Sequence, residues 1–118
     1  MPTSRERCED ILRSAQAILS EVNGHDEQAF LASDGLVAAC CYRFVVIGEA
    51  ANALLAGCQG EIAQCPATLA TALKYAKRMR DLLAHRYFAV DPARVWATIQ
   101  QDLGPLAADV ANLHQKVP

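Results

Sequence analysis

The stretch from Leu36 to Leu55 constrains this chain more than any other segment. It reads Leu36-Val37-Ala38-Ala39-Cys40-Cys41-Tyr42 and, after Arg43, Phe44-Val45-Val46-Ile47-Gly48. A helix built from it is apolar on nearly every side. Such a helix belongs at the centre of a bundle, or between the bundle and a second subunit. Its length also matches a membrane span, but Arg43, Glu49 and Asn52 would each be costly in lipid, so no membrane association is expected. Gly48, Ala50 and Ala51 would let a neighbouring helix approach closely. The expectation is a homodimer with this helix near the seam.

The flanking sequence reads as further helices. Ile11, Leu12, Ala15, Ile18, Leu19 and Val22 recur at helical spacing, which predicts a first helix from Thr3 or Ser4 to Val22, with Ser4 as its cap. Asn23-Gly24 stops it. A short helical piece follows from Asp26 to Ala32. Ser33 caps the long central helix, which runs to about Leu55 with Asp34 in its first turn. Residues 57–66 read as a loop rich in Gly, Gln and Cys. Pro66 then suits the start of a third long helix over Ala67–Ala84, with Leu69, Leu73, Ala76, Met79 and Leu83 on its buried side. Asp91 and Pro92 are cap and first residue of a last helix reaching Leu113, which Gly104-Pro105 should kink or divide. Trp96 should pack that helix onto the bundle. No repeat or linker interrupts the chain. Residues 1–118 therefore form one all-α domain, an antiparallel helical bundle of four to five helices.

Charge is unevenly spread. Between Lys74 and Arg94 lie six basic and two acidic residues, while the rest of the chain has five basic and eleven acidic. A basic segment in an acidic chain points to a local anion site, against the simpler alternative of a solvated helix face. The five cysteines, Cys8, Cys40, Cys41, Cys58 and Cys65, form no Cys-x-x-Cys pair and no zinc spacing. Cys40 and Cys41 read as small core residues, and a bridge between Cys58 and Cys65 is not expected. The polar N-terminus has no signal-peptide core. Free thiols and a cytoplasmic location follow.

The densest chemistry lies in Arg80-Asp81-Leu82-Leu83-Ala84-His85-Arg86-Tyr87. Arginine grips phosphate, histidine moves protons near neutral pH, and tyrosine offers a modifiable hydroxyl. Asp81 and His85 are four residues apart and share a helix face, so Asp81 could fix the imidazole tautomer. Arg80 and His85 are five apart, about 140° around an ideal helix. They converge on one phosphate only if the helix breaks near His85 or a partner subunit completes the site. Arg80 would then hold the non-bridging oxygens of a phosphodiester, and His85 would transfer a proton to or from the ribose 2′-hydroxyl or the leaving oxygen. RNA supplies its own nucleophile, and no carboxylate or His/Cys metal set is apparent; His25 and His114 lack ligand partners. Lys77, Arg78 and Arg86 are candidate RNA contacts. Spacing alone favours plainer roles: Arg and His at a helix C-terminus often satisfy carbonyls and the dipole, and Tyr87-Phe88 before Val90 reads as a core anchor.

Beyond these residues, the chain resembles the HepT-like family of HEPN-domain proteins, the toxin half of bacterial and archaeal toxin–antitoxin pairs. The likeness rests on Glu9-Asp10-Ile11-Leu12, Ile47-Gly48-Glu49-Ala50-Ala51 and Met79-Arg80. It continues through Leu83-Ala84-His85-Arg86-Tyr87-Phe88-Ala89-Val90-Asp91, Val95-Trp96 and Asp102-Leu103. It covers nearly the whole chain in order, with Arg-x4-His-x-Tyr intact. The resemblance implies an α-helical homodimer with its active site in the cleft between protomers. It also implies a metal-independent endoribonuclease needing no cofactor, with Arg80 and His85 as the catalytic pair. The partner it implies is a MntA-like nucleotidyltransferase antitoxin, which silences the toxin by transferring AMP from ATP to Tyr87, as in type VII-like systems. Asp81 stands where these proteins often have Asn, and Arg86 where a small residue is common. The tryptophan often found before the motif helix is absent from Pro66-Ala67-Thr68-Leu69. The competing reading is a non-catalytic helical binding module that serves as partner or substrate of a nucleotidyltransferase.

Overall fold

A computed structural model describes residues 2–118. Among them the secondary structure is entirely helical: α1 (Ser4–Val22), α2 (Glu27–Leu31), α3 (Asp34–Gly57), α4 (Gln59–Ala63), α5 (Ala67–His85), a 3-10 turn (Tyr87–Ala89), α6 (Pro92–Gln101) and α7 (Leu103–His114). The all-α bundle is as the periodicity predicts.

The helix starts follow from side chains that satisfy the orphan N–H groups of a first turn. Ser33 Oγ accepts from Leu36 N at 3.2 Å, and Asp26 Oδ1 from Ala29 N at 2.8 Å. Asp91 Oδ1 accepts from Ala93 N at 2.9 Å, with Pro92 opening α6. Two local expectations are corrected, and the expected division of the last helix is found. Thr3, not Ser4, caps α1, its Oγ1 accepting from Glu6 N at 3.1 Å. The segment read as a loop after Gly57 contains α4, because Ile62 is buried and pins one helical turn to the core. The last helix divides at Asp102, ahead of Gly104-Pro105. Pro105 lacks the N–H that would bond Gln101, four residues back, so the ladder ends there.

α3 is the central helix, packed between α1 and α5, while α7 lies across α1 and α5 and α6 covers α2. Ile11, Ile18, Phe30, Ile47, Leu54, Leu69, Leu73, Val95, Leu103, Val110 and Leu113 fill the core. Trp96 docks as expected, 5.2 Å from the Phe30 ring. Leu69, Leu73, Ala76 and Leu83 line the buried side of α5, with Met79 at its margin. The polar residues of α3 are accommodated by neighbouring helices, not by lipid. Arg43 meets Glu21 at 3.6 Å and Glu49 meets Arg80 at 3.3 Å.

Gly48 permits the close helix approach expected of it. It and Ala50 and Ala51 are buried within the protomer. A Cβ at Gly48 would overlap the Arg80 side chain and lie 2.7 Å from the Ala76 carbonyl oxygen. The close approach it permits is therefore between α3 and α5 of one chain.

All five cysteines are free. Burial pushes the Cys8 thiol up to about 11 and the Cys40 thiol up to about 12, and raises Cys41 and Cys58 too. These four are neutral near pH 7, which removes them as thiolate nucleophiles. Cys58 and Cys65 donate to carbonyls of the preceding turn, Leu54 O and Glu61 O.

Candidate active site

α5 delivers Arg80 to the midpoint of α3. With no side chain at Gly48, the Arg80 stem rests directly on α3 and its guanidinium reaches the edge of the helix pair. Two carboxylates meet it there. Nη1 donates to Asp81 Oδ1 at 2.8 Å, and Nε lies 3.3 Å from Glu49 Oε1. The Arg80 side chain is 19% exposed, against 56% for Glu49 and 46% for Asp81. Nε is buried, yet its N–H makes no hydrogen bond among the described residues. Arg80 is thus mostly buried and engaged by two carboxylates, with which an arriving phosphate would have to share the guanidinium.

Asp81 does not do what its spacing predicts. Among the described residues no hydrogen bond joins it to His85, and its carboxylate is taken by Arg80 instead. Adjacent helical residues do not face each other at Cβ, but the long arginine side chain curls back to its neighbour. Glu49 was not singled out as a site residue. Its presence in an otherwise apolar helix was the available signal, since such a charge needs a partner.

His85 is the last residue of α5 and is exposed. Among the described residues it makes no hydrogen bond or ion pair. The helix is unbroken from Arg80 to His85, so the two stay on different faces of one protomer. Arg86 leaves the helix, donating its backbone N–H to Leu82 O at 2.8 Å. The 3-10 turn follows, closed by Ala89 N to Arg86 O and Val90 N to Tyr87 O. Tyr87 and Phe88 project from this turn; Tyr87 is 45% exposed and Phe88 fully so. That overturns the core-anchor reading. Of this segment's side chains, Val90 is the one that packs inward, partly buried against the core.

The basic residues form a stripe. Lys74, Lys77, Arg78, Asp81 and His85 fall at spacings that share one face of α5. Lys74, Lys77, Arg78 and Asp81 border an open groove of about 920 Å³, with Leu55, Gln59 and Ile62 on its far wall. A separate apolar cavity of about 460 Å³ lies between α5 and the α6–α7 corner, lined by Phe44, Ile47, Tyr75 and Leu106. None of Arg80, His85 and Tyr87 borders it. No group of three or more His, Cys, Asp or Glu among the described residues is arranged to hold a metal ion.

The family model for HepT-like ribonucleases matches residues 11–113, from the first core isoleucine of α1 to the last core leucine of α7. The chain belongs to the HepT-like ribonuclease family. A curated relative from Caldanaerobacter subterraneus subsp. tengcongensis, described as a candidate RNase, is 28% identical over 116 residues, covering 98% of each chain. No solved structure matches. Family membership makes ribonuclease activity the expected chemistry of the chain.

In that setting the Asp81 contact has a measurable consequence. A carboxylate 2.8 Å from Arg80 competes with phosphate for the guanidinium. Asp81→Asn is expected to tighten RNA binding about two- to fivefold at low salt, the scale of an exposed ion pair, and less at high salt. Fluorescence anisotropy with a labelled single-stranded RNA measures it. Equal or weaker binding would mean that Asp81 serves to hold Arg80 in place.

Proposed function

We propose that this protein is a toxin-type endoribonuclease that cleaves RNA without a metal ion, using Arg80 and His85. One observation carries the reading. In a chain of a ribonuclease family, Arg80 is braced by Glu49 and Asp81 towards the end of α5 that carries an exposed His85, unpaired among the described residues. Arg80 binds the non-bridging oxygens and stabilises the charge that develops on the phosphorus centre. His85 transfers a proton at the ribose 2′-hydroxyl or at the leaving 5′-oxygen. The 2′-hydroxyl is the nucleophile, so the residues present suffice for the chemistry. Lys77, Arg78 and Arg86 guide the phosphate backbone.

The unbroken helix between Arg80 and His85 supports a composite site between two copies of the chain. Exposed Tyr42 and Leu82, on α3 and α5, are available to the second copy. Mixing inactive Arg80→Ala and His85→Ala proteins tests this. With each site taking its arginine and histidine from different copies, random exchange restores about a quarter of wild-type cleavage. A mixture no more active than its components would rule out the shared site.

The off-switch of this reading is Tyr87. Its exposed position on the turn beside His85 makes it reachable by a MntA-like nucleotidyltransferase antitoxin, and an adenylate there would place added phosphate against the basic stripe. Intact-mass measurement after incubation with that partner and ATP should show one AMP, absent from Tyr87→Phe; modification of both proteins alike would exclude Tyr87. Five free thiols, four of them buried, fit a reducing cytoplasm.

A further inference from the structure

Phe88 is the anomaly of the described surface. It is fully exposed, whereas Leu19, Leu31, Tyr42, Leu82 and Tyr87, the other exposed large apolar residues, are 36–63% exposed. A ring left in water forgoes the hydrophobic gain of burying it. Looseness does not explain it, because the turn is fixed at both ends. Arg86 N is bonded to Leu82 O, Ala89 N to Arg86 O and Val90 N to Tyr87 O, and Asp91 caps α6 immediately after. The Tyr87 ring stands edge-on to Phe88, with centroids 5.9 Å apart and planes at 77°. That contact supports the Phe88 ring from one side only.

We infer that Phe88 is a stacking platform for an unpaired base of the RNA substrate. The inference rests on the ribonuclease reading and adds its substrate class, single-stranded RNA. Aromatic faces accept any unstacked base, and they work beside cations that hold the adjoining phosphates. Phe88 has that company, with His85 and Arg86 three and two residues before it, and the Lys74–Lys77–Arg78 stripe leading along α5 towards the same end. A second protein copy is a poorer occupant. Interface centres are depleted of charge, and a two-fold contact through this turn would bring Arg86 towards its own equivalent.

The test uses full-length protein carrying His85→Ala, so that RNA is bound and not cut. Its probes are a short labelled oligoadenylate and an abasic ribose-phosphate oligomer of equal length. Phe88→Ala and Phe88→Leu should each weaken oligoadenylate binding about 5- to 150-fold, while Phe88→Trp keeps it. Neither should alter binding of the abasic oligomer. Phe88→Leu binding like the parent would overturn the proposal, and so would an equal loss on the abasic oligomer. A loss that tracks dissociation in sedimentation would also overturn it, making Phe88 a contact between copies. If the parent binds no RNA, the ribonuclease reading falls with it. If the parent binds RNA and Phe88→Ala binds equally, the stacking role alone falls.

Discussion

His85→Ala is expected to reduce RNA cleavage by about 10²–10⁴-fold, the contribution of one positioned general acid or base. The same change should leave stability within about 0.5 kcal/mol, because an exposed side chain with few contacts has little to lose. His85 is exposed and makes no hydrogen bond or ion pair among the described residues. Its one structural asset is its place in the last turn of α5, where a protonated imidazole interacts favourably with the helix dipole. The two roles separate cleanly. A structural histidine would move the thermal midpoint and spare the rate, whereas a chemical one does the reverse. Single-turnover cleavage of a labelled RNA, paired with a thermal melt, distinguishes them. Arg80→Ala is less diagnostic, since Arg80 also packs on Gly48 and joins two carboxylates.

Gly48→Ala should destabilise the fold and the site together. Alanine is the better helix former by about 1 kcal/mol, so propensity alone predicts a gain. Space decides otherwise. The new methyl would overlap the Arg80 stem and come within 2.7 Å of the Ala76 carbonyl oxygen. Both obstacles belong to the α5 backbone or its immediate branch, and α5 is anchored by buried Leu69, Leu73, Ala76 and Leu83. Forcing the helices apart costs about 1–3 kcal/mol and withdraws Arg80 from the position it now holds. We expect a melting midpoint several degrees lower, at about 4–8 °C per kcal/mol, and cleavage reduced in the surviving folded protein. Gly35→Ala is the control, since a methyl there meets nothing within 4 Å and should be neutral or slightly stabilising. An unchanged midpoint for Gly48→Ala would mean that α3 and α5 are not locked where they appear.

The helices were legible because their signals are local. Ser33 and Asp91 cap as their side-chain chemistry requires, and the apolar run of α3 lies where an all-round apolar helix must. The basic segment and the Arg80–His85 spacing likewise needed only the chain and helical geometry. What escaped depends on contacts between distant segments or on how a helix ends. Glu49 and Arg80 lie thirty-one residues apart in sequence, so their pairing is visible only once Gly48 brings α3 and α5 together. Tyr87-Phe88 read as a core anchor because spacing to Val90 does not show which way a tight turn points its rings. The chain leaves the helix at Arg86, and the tight turn rotates both rings outward while Val90 alone packs inward. Asp81 looked like a partner for His85 because spacing ranks faces, not reach, and the arginine beside it reached first.

The most direct measurement of the proposed chemistry is the identity of the ends left by wild-type protein acting on a defined single-stranded RNA in excess EDTA. Attack by the 2′-hydroxyl, with Arg80 and His85 supplying charge and proton transfer, predicts cleavage that persists and leaves a 2′,3′-cyclic phosphate opposite a 5′-hydroxyl. Cleavage abolished by EDTA, or ends carrying a 5′-phosphate and a 3′-hydroxyl, would contradict it.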